Sequence, residues 1–158
     1  MKLVFTFLAL TIGVFTNAQI SDNSSGTTAT EAGSVAIGTN TTASGPYSTA
    51  MGGSSIASGE KSIAIGNQYQ TNATTPEYNN EAAGSRSFVI GNNNSTTGAK
   101  AFSIGTDNLS TGVSSIALGE NNIASGNFSQ AIGLFSESTA YSSFAIGNNA
   151  FADGYNTT

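Results

Sequence analysis

A glycine returns at a fixed interval along almost the whole of this 158-residue chain. It closes a five-residue block that is copied eight times. The first three copies are Ser34-Val35-Ala36-Ile37-Gly38, Ser48-Thr49-Ala50-Met51-Gly52 and Ser62-Ile63-Ala64-Ile65-Gly66. Ser87-Phe88-Val89-Ile90-Gly91 and Ala101-Phe102-Ser103-Ile104-Gly105 follow a gap, and three more copies close on Gly119, Gly133 and Gly147. Every interval between closing glycines is 14 residues except one of 25, which is 14 plus 11 inserted. A second glycine stands seven residues from the first, at Gly45, Gly59, Gly84, Gly98, Gly112, Gly126 and Gly154, with Ala140 the one exception. A fixed internal period marks a repeat architecture, in which each unit covers its neighbour.

Seven residues are too few for a helix and a turn, but they suffice for a short strand and a corner. Glycine suits the corners because it allows positive φ and close backbone approach. The residue before each closing glycine is aliphatic in all eight copies: Ile37, Met51, Ile65, Ile90, Ile104, Leu118, Ile132 and Ile146. One place earlier stand Ala36, Ala50, Ala64, Val89, Ser103, Ala117, Ala131 and Ala145, nearly all small. Strand neighbours point to opposite faces. The expectation is therefore an all-β solenoid, with the aliphatic column as its structural core and the small column pressed close on the other side. Eight rungs at ~4.8 Å would stand ~40 Å tall. A disordered Gly/Ser/Asn tract would not hold an aliphatic residue at one phase through eight copies.

The start of the chain has a different character. Lys2 precedes an apolar run from Leu3 to Phe15, and Thr16-Asn17-Ala18 ends it with small residues. A basic start, a short apolar core and a small-x-small end predict a secretory signal peptide over 1–18. The run is too short for a bilayer span of ~20 residues. The organisation expected is thus 1–18 leader, 19–30 linker and 31–158 repeat domain, with an insert at about 67–83.

Once Lys2 leaves with the leader, three basic residues face nine acidic ones, a net charge of −6. That balance argues against nucleic acid as a partner, since nucleic-acid binding needs basic patches. Histidine and cysteine are absent, which removes Ser-His triads, Cys nucleophiles and the usual zinc ligands. The acids fall at scattered phases. Asp107 and Glu120 come near one another on adjacent corners, but hard cations want 6–8 oxygens. No enzyme and no cofactor or metal is expected.

The S-x-A-I-G block, with a small-small-Gly element seven residues on and a period of 14, resembles the head repeat of YadA-like trimeric autotransporter adhesins. The resemblance covers roughly residues 31 to 158. It implies a left-handed parallel β-roll, three chains side by side as a homotrimer, display on a bacterial surface or outside the cell, and attachment to a host, matrix or other surface through a protein or glycan ligand. A 14-residue coil encloses little, and the column Val35, Ile63, Phe88, Phe102, Ile116 and Phe144 adds apolar side chains that a partner could cover. No heptad stalk and no barrel strands are legible, so any membrane attachment would come through an anchor not in this sequence. A fragment, a secreted head and a part of another assembly are all open readings. So is a passive fibre segment, of surface or phage type, without a ligand of its own.

Two irregularities suggest a ligand site. Lys61, Arg86 and Lys100 each stand five residues before a closing glycine, in three successive rungs. Like charges stacked at rung spacing repel, so stability does not account for them. The insert carries Tyr69, Pro76 and Tyr78, and insertions in repeat proteins map to one face. Lys61, Arg86, Lys100, Tyr69 and Tyr78 are the candidate ligand-binding residues, with the basic stripe expected beside the insert.

Overall fold

The computed structural model describes residues 20–21, 26–66 and 79–155. Over these the chain winds as a parallel β-solenoid with two strands to each turn. The broad sheet holds β1 (Ile20–Ser21), β3 (Val35–Ile37), β5 (Thr49–Met51), β7 (Ile63–Gly66), β9 (Phe88–Asn92), β11 (Phe102–Thr106), β13 (Ile116–Glu120), β15 (Gln130–Leu134) and β17 (Phe144–Asn148), in that spatial order. The narrow sheet holds β2 (Thr28–Ala29), β4 (Thr42–Ala43), β6 (Ser55–Ala57), β8 (Asn80–Ala82), β10 (Ser95–Thr96), β12 (Leu109–Ser110), β14 (Ile123–Ala124), β16 (Glu137–Ser138) and β18 (Phe151–Ala152). Each strand pairs in parallel with the one a turn away. Phe102 lies opposite Ile116 and Ile104 opposite Leu118, a register of one repeat. Across the insertion the register is kept, with Ile65 opposite Ile90 and Ile56 opposite Glu81.

Glycine is required at the two corners for two different reasons. Gly105 ends its block at φ +126°, and a Cβ there would lie 1.9 Å from the Gly119 carbonyl oxygen. Gly112, on the other corner, has no positive φ, yet its Cβ would lie 2.0 Å from the Gly126 carbonyl oxygen. The first corner needs glycine for backbone conformation and for space, the second for space alone.

The interior differs from the sequence expectation. Ala36, Ala50, Ala64, Val89, Ala117 and Ala131 are fully buried, and Ser103 lies with them. The aliphatic column Ile37, Met51, Ile65, Ile90, Ile104, Leu118, Ile132 and Ile146 is not inside the coil. It points outward from the broad sheet, half-buried at most positions and 56% exposed at Ile146. Short corners hold the two sheets close, so the side of each strand carrying small residues turns inward and the bulky side turns out. Val35, Ile63, Phe88, Phe102, Ile116 and Phe144 share that outer face, and the Phe88 and Phe102 rings stack with centroids 4.9 Å apart.

Two boundaries also shift. β1 and β2 fall in the stretch expected as linker and already pair with β3 and β4. Asn80–Ala82 form β8, paired with β6 and β10, so the insertion is confined to the corner between β7 and β8. The leader lies outside the described residues.

Candidate functional site

Each turn has one corner leading into the broad sheet and one leading out of it. The leading-in corner is a four-residue turn closed by a backbone hydrogen bond, as from Ser48 N–H to the Gly45 carbonyl at 3.1 Å and from Ser62 N–H to Gly59 at 3.1 Å. Its third residue has positive φ, the place where a turn ordinarily sets glycine or asparagine. In this chain that column reads Tyr47 (φ 57°), Lys61 (55°), Arg86 (60°), Lys100 (58°), Ser114 (55°), Phe128 (60°) and Ser142 (53°). The backbone N–H of Lys61 donates to Pro46, that of Arg86 to Glu60, and that of Lys100 to Ser85, at 2.7–2.9 Å. The three basic residues therefore do stand one above another on successive rungs, all exposed.

Their charges are not equivalent. Lys61 Nζ lies 2.7 Å from Glu60 Oε1 and 5.9 Å from the centre of the Tyr47 ring. The Lys61 ammonium, through its hydrogen bond and its charge, holds the Glu60 carboxyl below the usual carboxylate range. Arg86 and Lys100 have no ion pair among the described residues.

The same corner changes character toward the C-terminus. Val113, Phe128, Tyr141 and Tyr155 are all exposed there. Tyr141 and Tyr155 stack with centroids 5.4 Å apart and planes 8° off parallel, and Phe128 meets Tyr141 edge-on at 5.4 Å. This aromatic run was not singled out from the sequence. Its signal was there, because Tyr141 and Tyr155 share one phase of the repeat.

The residues that flank the insert stand apart from the basic column. Its flanking residues, Gly66 and Asn79, are on the corner leading out of the broad sheet, while Lys61 is on the corner leading in. The whole of β7 separates them. Tyr69 and Tyr78 lie outside the described residues. Where the insert leaves the coil, Ile65, Ile90 and Thr106 line an open concavity of about 540 Å³ on the broad sheet. Ile56, Glu81 and Ser95 line a second, of about 420 Å³, on the narrow one.

A buried polar ladder was also missed. Asn94, Asn108 and Asn122 each stand three residues after a closing glycine and are at most 1% exposed. Each donates its side-chain N–H to the glycine carbonyl one rung on, at 2.8 Å. Each side-chain oxygen accepts the backbone N–H of the next rung, from Asn108, Asn122 and Ser136 in turn. Asn80 heads the series, with Asn94 N–H donating to it at 3.0 Å. This is a structural spine, not a site. Asp107 accepts a hydrogen bond from the Asn93 side chain. Among the described residues, no group of three or more acidic side chains is placed to hold a metal ion.

The model of the YadA head domain repeat matches residues 25–41, 43–68, 110–136 and 138–158, more than half of the chain. No curated protein matches it. The unmatched stretch holds the insertion, yet its strands β8 to β11 keep the same one-turn register. With its glycine-closed blocks stacked rung on rung and this match along its length, the chain belongs to the YadA head repeat family.

Proposed function

We propose that the chain is the head of an exported, trimeric adhesin displayed at a bacterial surface, a binding module and not an enzyme. One observation carries the assembly. The outer face of the broad sheet bears two parallel apolar columns, one through Ile65, Ile90 and Ile104 and one through Ile63, Phe88 and Phe102. A parallel sheet is ordinarily covered on both faces, and a continuous apolar face of this kind marks an association surface. Three copies placing these faces together about one axis would bury them all and stack rungs in parallel. The family supports attachment as the purpose, and the apolar face supports the trimer.

The reading is tested on the chain from residue 19 onward, by light scattering with circular dichroism on the same sample. The expected result is three times the monomer mass with a β-sheet spectrum. Attachment of that sample to collagen, fibronectin and cell layers is measured alongside. A folded monomer at micromolar concentration overturns the trimer, and a trimer that attaches to nothing leaves a passive fibre segment.

A further inference from the structure

We propose that the corner leading into the broad sheet is a binding ridge for a linear acidic polysaccharide, laid along the solenoid with its charged groups on Arg86 and Lys100 and its rings beside Phe128 and Tyr141. The proposal deepens the adhesin reading and rests on it for an exported, exposed setting.

The charges are fixed by backbone. Lys61, Arg86 and Lys100 occupy one turn position, tied rung to rung by main-chain hydrogen bonds, so their origins repeat at the strand spacing of ~4.8 Å. A sugar ring in a linear chain is about as long as a rung is high, so a polymer with one acidic group per sugar could match the column without bending. Sites held in place before binding lose less freedom on association. Lys61 is already satisfied by Glu60, which leaves Arg86 and Lys100 as the cations open to a ligand.

The aromatic run extends the same ridge. Val113, Phe128, Tyr141 and Tyr155 are exposed on four successive rungs beyond Lys100. Phe128, like Tyr47, holds a left-handed backbone conformation that a bulky side chain rarely adopts. Phe128 is 49% exposed, so burial does not offset that strain.

Nucleic acid fits less well. Tyr141 and Tyr155 each turn one face to the other, which leaves bases less of a stacking platform. What the two tyrosines offer outward includes the phenol hydroxyls, suited to sugar hydroxyls.

The test uses the chain from residue 19 onward, with four labelled probes: polygalacturonate, dextran sulfate, neutral dextran and single-stranded DNA. Both anionic polysaccharides should bind and neutral dextran should not, and the preference between the two anions tells carboxylate from sulfate. Arg86→Gln with Lys100→Gln should weaken binding roughly five- to tenfold, in line with exposed ion pairs. Glu60→Gln should strengthen it about twofold by releasing Lys61. Phe128→Ser with Tyr141→Ser should weaken it while leaving its salt dependence in place. Circular dichroism checks the fold of each variant. Binding unchanged by the Arg86/Lys100 pair, tighter binding of DNA than of either polysaccharide, or protection of Lys100 from amine labelling in the free assembled protein would each overturn the ridge. Mass and surface attachment are read on the same preparation. A trimer that attaches but ignores both polyanions sinks this proposal alone, whereas a folded monomer sinks the trimeric head.

Discussion

Asn108 is buried, yet every polar atom of its side chain is engaged. Its N–H₂ group donates to Asn94 Oδ1 at 2.9 Å and to the Gly119 carbonyl at 2.8 Å. Its oxygen accepts from the Asn122 backbone at 3.0 Å and side chain at 2.9 Å. Ser87 is the opposite case. It is 1% exposed and its hydroxyl has no partner among the described residues, while Ala101 fills the same place one rung on. The two residues should respond in opposite senses. Asn108→Ala leaves a carbonyl and an amide unsatisfied in the interior and should cost about 2–4 kcal/mol. Ser87→Ala removes a hydroxyl that makes no bond and should be neutral or stabilising by up to ~1 kcal/mol. Urea unfolding of both variants checks this, and an Asn108→Ala no worse than Ser87→Ala would mean the ladder adds nothing. The phase of these asparagines was legible in the sequence. It is masked by Asn92, Asn93, Asn148 and Asn149, which stand at the corner beside that phase.

The strand β9 separates two neighbours that periodicity alone makes look equivalent. Val89 is fully buried inside the coil, whereas Ile90 faces outward from the broad sheet. Alternation along the strand put the two columns on opposite faces, and the sequence made that plain. Which face is interior depended on how far apart the sheets stand, and that is set by the short corners, which no residue column announces. A gap between close sheets takes Ala, Ser, Thr96 and Val89, and excludes a ladder of Ile. The basic stripe and the residues that flank the insert come apart for a related reason. The interval from Lys61 to Gly66 spans a strand, and a strand joins opposite corners. The two columns are told apart by substitution. Val89→Asp places an unpaired charge in the coil and should unfold it, at a cost of several kcal/mol. Ile90→Asp should keep the β-sheet spectrum but lower the mass from trimer toward monomer. Equal loss of circular dichroism in both would show that the Ile column also supports the isolated coil.

Across the whole molecule the rungs are not equally built. In the broad sheet β3 and β5 have three residues each, β7 has four, and β9 through β17 have five. The Asn ladder begins at Asn80 and ends where the Ser136 backbone N–H donates to the Asn122 side-chain oxygen. Before it, Thr41 and Ser55 stand at the same phase, where a hydroxyl has one donor against the two of a carboxamide: Thr41 donates to the Gly52 carbonyl one rung on, and Ser55 to the Met51 carbonyl. Longer strands and the ladder thus coincide over residues 80–136. In a solenoid each rung touches only its neighbours, so stability is close to a sum of local terms and ends open before the middle. Amide hydrogen exchange reports those local openings. On the chain from residue 19 onward, the amides of Ser103, Ala117 and Ala131 should exchange slowest. Those of Ala36 and Ala50 should exchange at least about tenfold faster, which corresponds to a difference of ~1.4 kcal/mol in local opening. Assembly through the broad sheet would slow β3 and β5 along with the rest, but it would not erase the gradient on the narrow sheet, where Ala43 and Ala124 provide the comparison. Equal protection of Ala43 and Ala124 would mean that the molecule opens as one cooperative unit and that the ladder does not divide it.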